Sequence, residues 1–173
     1  MTAPPATSTG SLTAPAPLTR AHDLSSFNCG KSELHEWLRN NALDSEGRSA
    51  RTYVVCEGLS VVGYYCIATG SVERRQLPPK MKRARGLPNH IPVAIIGRLA
   101  RDESYRGRGL GKDLLQDALQ RILSASQIIG VRAILVHAVD DEAARFWKEH
   151  EFIECPIDSG TFYLPIETIA DAI

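Results

Sequence analysis

The 173-residue chain reads as an α/β protein, and three observations predict it. Residues 51–56 and 61–69 are runs rich in Val and Tyr on either side of Glu57-Gly58, the pattern of a β-hairpin. An apolar run at 91–102 leads through a glycine-rich turn into a segment whose apolar residues recur at helical spacing. A further apolar run at 131–138 precedes a second helical segment, so strands and helices alternate through the C-terminal half.

Taken in order, residues 1–17 are rich in Ala, Pro, Thr and Ser but lack the basic and apolar regions of a signal peptide. They read as a flexible leader before a single domain, 18–173. Residues 31–43 form an amphipathic helix with Leu34, Trp37, Leu38 and Ala42 on one stripe. Lys31, His35 and Arg39 recur on the opposite side, as a basic ridge for an RNA backbone or as a plain solvent face. A polar connection at 45–49 leads to the hairpin. Residues 71–90 read as an irregular loop, because Pro78-Pro79 argue against a regular element.

That loop carries Arg74, Arg75, Lys80, Lys82, Arg83 and Arg85 against a single acid, Glu73, in a chain of zero net charge. A basic lobe on a neutral protein still draws a polyanion through its local field. A solvated loop that carries charge because loops do is the plainer alternative.

Beyond the strand at 91–102 and the helix whose apolar face is Leu110, Leu114, Leu115, Ala118, Leu119, Ile122 and Leu123, the strand at 131–138 contains His137. That histidine reads either as a satisfied core residue or as a base at the strand end. Asp140 or Asp141 caps a helix at 142–150 carrying Ala143, Ala144, Phe146 and Trp147, and Phe152 closes the unit. A last strand spans 161–165 and a terminal helical turn 166–173. Four widely spaced cysteines form no C-x-x-C pair, so neither a metal site nor a disulfide frame is expected and a reducing cytoplasm is the default. Cys29 is a nucleophile only in principle, since no histidine–carboxylate arrangement is evident around it. No apolar run approaches the ~18 residues of a membrane span.

The chemistry concentrates in Arg106-Gly107-Arg108-Gly109-Leu110-Gly111-Lys112. Glycine N–H groups opening a helix make an anion site, and Arg106, Arg108 and Lys112 add positive charge. A pyrophosphate suits it. The loop is no P-loop, because Lys112 is followed by Asp113, and its glycines lack the spacing of a dinucleotide fingerprint.

Arg106, Gly109 and Gly111 instead fit the pattern of Gln or Arg, two residues, Gly, one residue, Gly or Ala. On that loop and the order of elements around it, the chain resembles the GNAT superfamily of acyltransferases. The resemblance implies a mixed, mostly antiparallel central sheet with a splayed strand pair, flanked by helices, and acetyl-CoA as cofactor. Its pyrophosphate would sit on residues 106–112 and its pantetheine arm along the backbone of Leu99, Ala100 and Arg101. A backbone N–H near Leu99 or Arg101 would meet the oxyanion.

A narrower resemblance lies in Ala50-Arg51-Thr52-Tyr53-Val54-Val55-Cys56, Gly63-Tyr64-Tyr65 with Ala68-Thr69-Gly70-Ser71-Val72, Ile91-Pro92-Val93 with Arg98-Leu99-Ala100, and Gly130-Val131-Arg132-Ala133 with Val136-His137-Ala138. These segments look like the acetyltransferase toxins of toxin–antitoxin pairs. That implies acetylation of the amino group of aminoacyl-tRNA, a ribbon-helix-helix antitoxin, operator DNA reached only through that antitoxin, and a homodimer as one assembly. Lys31, Arg39, Arg74, Arg75, Lys80, Lys82, Arg83 and Arg85 would be the RNA contacts.

Two residues depart from the pattern. Glu151 stands where the superfamily has glycine, and Trp147 where related toxins carry a tyrosine that serves as acid for the departing thiolate. Indole N–H donates a hydrogen bond but is not an acid, so Trp147 either packs or has a different part, and Tyr163 is a substitute hydroxyl to consider. A catalytically weak co-repressor and a small-molecule or protein N-acetyltransferase are the alternatives.

Overall fold

The structure, a computed structural model, describes residues 11–172. Its elements are β1 (Ala16–Pro17), α1 (Ser32–Asn40), α2 (Ala42–Ser45), β2 (Arg51–Glu57), β3 (Ser60–Glu73), α3 (Pro79–Lys82) and β4 (His90–Arg101). There follow α4 (Leu110–Ala125), β5 (Ala133–His137), α5 (Asp141–Glu149), β6 (Ile153–Glu154), β7 (Thr161–Pro165) and α6 (Ile166–Ala172). The seven strands lie in the order β1-β2-β3-β4-β5-β7-β6. β1 on β2, β5 on β7 and β6 on β7 are antiparallel, and β4 on β5 is parallel. The chain divides into two compact units, one of residues up to Cys66 with Arg98–Leu115, the other of Ile67–Gly97 with the residues from Gln116 on.

In the first unit α1 presents Leu34 and Leu38 to a core of Leu18, Phe27, Ala42, Val54, Cys56, Val61, Tyr64 and Ala100. The fully buried Tyr64 donates its hydroxyl to the Leu34 carbonyl at 2.6 Å, and burial pushes its ionisation well above the ordinary value. The helix expected over 31–43 breaks at Asn41, whose backbone (φ −125°) leaves the helical region. The Asn41 N–H still bonds the Trp37 carbonyl and its own carbonyl accepts from Ser45. The turn lets Ala42 reach the core.

The composition of residues 1–17 predicts a leader. Residues 1–10 lie outside the described part, and the rest is tied to the edge of β2. Thr13 N–H donates to the Cys56 carbonyl at 2.9 Å, the Thr13 hydroxyl accepts from Cys56 N–H, and Ala16 pairs with Val54. Alternation and apolarity are too weak in so short a segment to announce a strand; the partner supplies it. Gly63 marks a close approach, since a β-carbon there would lie 3.1 Å from Leu114 and 3.2 Å from Leu110 at the start of α4.

The second unit packs Val72, Leu77, Leu87, Ile91, Val93, Ala133, Leu135, Cys155 and Tyr163 together. Here the loop expected at 71–90 is corrected. β3 runs on to Glu73, a 3-10 turn covers Arg74–Gln76, and Pro79 opens α3. Proline at a first helical position loses no hydrogen bond, so the Pro78-Pro79 pair starts an element rather than forbidding one. Leu77 and Leu87 anchor the segment. Its six basic side chains are all exposed.

α5 is capped by Asp140, whose carboxylate accepts from Ala143 N–H at 2.8 Å. Its far end closes with Phe152 N–H on the Trp147 carbonyl and Glu151 N–H on the Lys148 carbonyl, both at 3.1 Å. That pair of bonds is a Schellman motif, and it requires a left-handed residue, here Glu151 at φ 70°.

Candidate active site

The site is assembled where β4 ends. The β4·β5 ladder stops at Ile96↔Val136, and β4 runs on to Arg101. Along that extension Ala100 is buried in the first unit's core, whereas Leu99 and Arg101 are half-buried. Arg98 lays its guanidinium 4.2 Å over the ring of Trp37, which stacks in turn on Tyr64.

Asp102 then latches the turn. Its N–H donates to the Val62 carbonyl at 2.7 Å, and its carboxylate accepts from Asn28 N–H (2.9 Å), Ser104 N–H (3.0 Å) and the Ser104 hydroxyl (2.7 Å). Burial works against ionisation here, but these bonds outweigh it and hold the carboxyl below the usual range. Glu103 N–H closes the latch on the Asn28 carbonyl at 2.9 Å. Gly30 favours glycine because its φ of 80° is left-handed, and a β-carbon there would make the Glu103 carboxylate move aside.

Tyr105 anchors the loop from below. Its hydroxyl donates to the Glu57 carboxylate, which keeps it protonated above its ordinary range, and Arg108 sits 5.0 Å over its ring. Gly107 and Gly109 are left-handed (φ 75° and 78°), and no atom lies within 4 Å of a β-carbon built on either. Conformation demands glycine at these positions, and open space lies in front of them. α4 begins at Leu110, with Asp113 N–H on the Gly109 carbonyl at 3.1 Å, so the N–H groups of Leu110, Gly111 and Lys112 precede the first intrahelical bond. Arg106, Arg108 and Lys112 are exposed. Left-handed glycines, a helix N-terminus and cations are the features that fit a pyrophosphate.

The other expected site residues separate. Arg74, Arg75, Lys80, Lys82, Arg83 and Arg85 share one exposed segment, in which Arg75 pairs with Glu73. Arg39 is turned elsewhere: its guanidinium donates to the carbonyls of Leu24 and Phe27 and braces that turn. Lys31 is half-buried at the start of α1. His35 lies with Nδ1 3.8 Å from the Cys29 thiol, so the ridge expected on α1 is engaged at His35 and Arg39.

Trp147 is buried at 6 % exposure, its ring 5.0 Å from Phe146 and 5.0 Å from Phe152. The Phe152 contact is the apolar clasp that accompanies a Schellman motif. Tyr163 lies in the second unit's core, where burial pushes its hydroxyl up to about 12. It is a packing residue, which removes it as a substitute acid. His137, by contrast, is exposed rather than in the core, with Nδ1 3.0 Å from the Thr161 hydroxyl, which itself donates to Asp158 at 2.8 Å. Thr161 and Asp158 escape sequence reasoning, because only the β5·β7 register puts Thr161 opposite His137.

Residues 18–152 match the Acetyltransferase (GNAT) family. A tRNA-acetylating toxin of Mycobacterium tuberculosis is 40% identical over 146 residues, which span 84% of this chain and 87% of that protein. The solved structure of AtaT complexed with acetyl-methionyl-tRNAfMet is similar with a TM-score of 0.86 at 29% identity, covering 94% of this chain and 99% of that one. A tyrosine-to-phenylalanine mutant of the AtaT toxin, bound to the C-terminus of the antitoxin AtaR and acetyl-CoA, gives 0.79 at 28% identity over 93% and 97%. With a glycine-rich, basic loop at the mouth of α4 and a family match over most of its length, the chain belongs to the Acetyltransferase (GNAT) family.

Proposed function

We propose that this chain is a toxin-type N-acetyltransferase that moves the acetyl group of acetyl-CoA to the amino group of aminoacyl-tRNA, so blocking translation in the cytoplasm. The observation that carries this is the 40% identity to a tRNA-acetylating toxin, sustained over 87% of that protein. A ribbon-helix-helix antitoxin is the partner this implies, with operator DNA reached only through it and a second copy of the chain as a further partner.

Bound acetyl-CoA supplies the acyl group as an activated thioester. The chain's own residues do the rest. The α4 N-terminus with Gly107, Gly109 and Gly111 cradles the pyrophosphate, and Arg106, Arg108 and Lys112 neutralise its charge. The backbone of Leu99, Ala100 and Arg101 holds the pantetheine arm, and an N–H near Leu99 or Arg101 stabilises the oxyanion. The six exposed cations between Arg74 and Arg85, with Lys31, meet the RNA backbone. The α-amine of an aminoacyl ester has a pKa at or below roughly 8, so much of it is already neutral.

The buried Trp147 favours a second reading, a slow enzyme whose main work is binding antitoxin as a co-repressor. Incubation with labelled acetyl-CoA and either charged or deacylated tRNA separates the two. Label entering only charged tRNA, on the amino acid, is the expected result. Tight acetyl-CoA binding with no transfer supports the co-repressor, and transfer to small amines alone would overturn both.

A further inference from the structure

Arg108 of the glycine-rich loop is held by a chain of contacts that begins on β2. Glu57, the last residue of β2, is half-buried, and an antiparallel bridge to Leu12 fixes its backbone. One position back, Cys56 N–H donates to the Thr13 hydroxyl and the Cys56 carbonyl accepts from Thr13 N–H, both at 2.9 Å, so the strand end is braced. The Glu57 carboxylate accepts the Tyr105 hydroxyl. The Tyr105 ring in turn carries the Arg108 guanidinium 5.0 Å from its centroid, and the Tyr105 carbonyl accepts from Arg108 N–H at 3.3 Å. Glu57, Tyr105 and Arg108 all belong to the first compact unit.

Two features of this chain are not explained by packing. Glu57 brings a carboxylate to the base of a loop whose own charged side chains, Arg106, Arg108 and Lys112, are cationic and exposed. By charge alone it opposes an anion bound there. An exposed arginine also samples many rotamers, and fixing it on a ligand costs side-chain entropy. One arrangement answers both. The phenol proton is committed to the carboxylate, which fixes the ring, and the ring face is where the guanidinium rests. A guanidinium donates from its edge, so resting on a ring spends none of its N–H groups. Arg108 stands between the left-handed Gly107 and Gly109, where no atom lies within 4 Å of a β-carbon built on either.

We infer that Glu57 and Tyr105 are positioning residues for acetyl-CoA that hold Arg108 ready for the pyrophosphate, an inference that rests on the cofactor loop proposed above. The carboxylate's unfavourable charge is outweighed by the order it gives the cation.

Calorimetry of acetyl-CoA binding tests this. Arg108→Ala should weaken affinity about tenfold, through loss of a charge-assisted contact. Tyr105→Leu should weaken it about two- to fivefold, the scale of an exposed cation–π contact, and should add almost nothing once Arg108 is already Ala. Glu57→Ala tests the sign. Removing a negative charge beside an anion tightens binding if charge alone matters. The inference expects weaker binding in the parent chain, by about two- to fivefold, and unchanged or tighter binding in the Arg108→Ala background. Tyr105→Phe keeps the ring and loses only the bond to Glu57, so it should follow Glu57→Ala even where Tyr105→Leu fails to fold. Equal losses from Tyr105→Leu in both backgrounds would overturn the inference, as would tighter binding by Glu57→Ala in the parent chain. Unchanged affinity in Gly109→Glu removes the loop as the cofactor site, and the inference falls with it. If Gly109→Glu abolishes binding while the Tyr105 and Arg108 losses simply add, the loop stands and the inference alone falls.

Discussion

Gly109 is where a single residue decides most. Its left-handed backbone and the empty space before it are both spent if a side chain is added. Gly109→Glu should abolish acetyl-CoA binding by calorimetry, through strain at the loop and a carboxylate placed against the pyrophosphate; an unchanged affinity would remove the loop from the cofactor site. Asp102 works one step upstream. Its lowered pKa means that its ionised form stabilises the fold above the ordinary carboxylate value of about 3.9, and that the benefit fades as pH falls through the lowered value. Asp102→Ala should therefore cost about 1–2 kcal/mol in denaturant unfolding at neutral pH, and progressively less as the pH falls through the lowered value. Glu151 runs the other way, a non-glycine residue held left-handed by the Schellman motif. Glu151→Gly relieves roughly 1 kcal/mol of strain, partly offset by chain entropy, and should raise the melting temperature slightly. A fall in melting temperature would mean that the Glu151 side chain itself stabilises the turn.

Among the elements, those with long periodic patterns were legible from residues alone: the β4 strand, the glycine loop, α4 and α5 all follow from spacing and caps. β1 and β6 were not, because each is two residues long and exists through its partner strand. α3 was hidden by the proline that starts it. The same contrast holds for the site. A backbone cradle has a glycine signature, whereas the His137–Thr161–Asp158 chain depends on strand register and a turn, which leave no local pattern. The segment between Glu73 and His90 is both anchored and charged, so it can present its cations as a surface. Neutralising Arg74, Lys80, Lys82, Arg83 and Arg85 together should weaken tRNA binding and flatten its log–log salt slope by about one unit per lost phosphate contact. Identical affinity and slope in filter binding across a salt series would mark the segment as a solvated face.

For the molecule as a whole, the departure at Trp147 becomes a question of how much rate one missing acid removes. Trp147 clasps Phe152 at the end of α5, and a tyrosine ring would preserve that apolar contact with a modest loss of volume. General acid catalysis contributes ~10²–10⁴-fold, but a thiol with a pKa of roughly 8.5 can leave unprotonated at a small penalty. The benefit of restoring a tyrosine should therefore fall at or below about tenfold, seen as faster acetylation of aminoacyl-tRNA and a deeper growth arrest on induction. Steady-state rates of Trp147→Tyr and the parent chain measure the gain directly. A Trp147→Tyr variant slower than the parent would show that the indole itself serves the reaction.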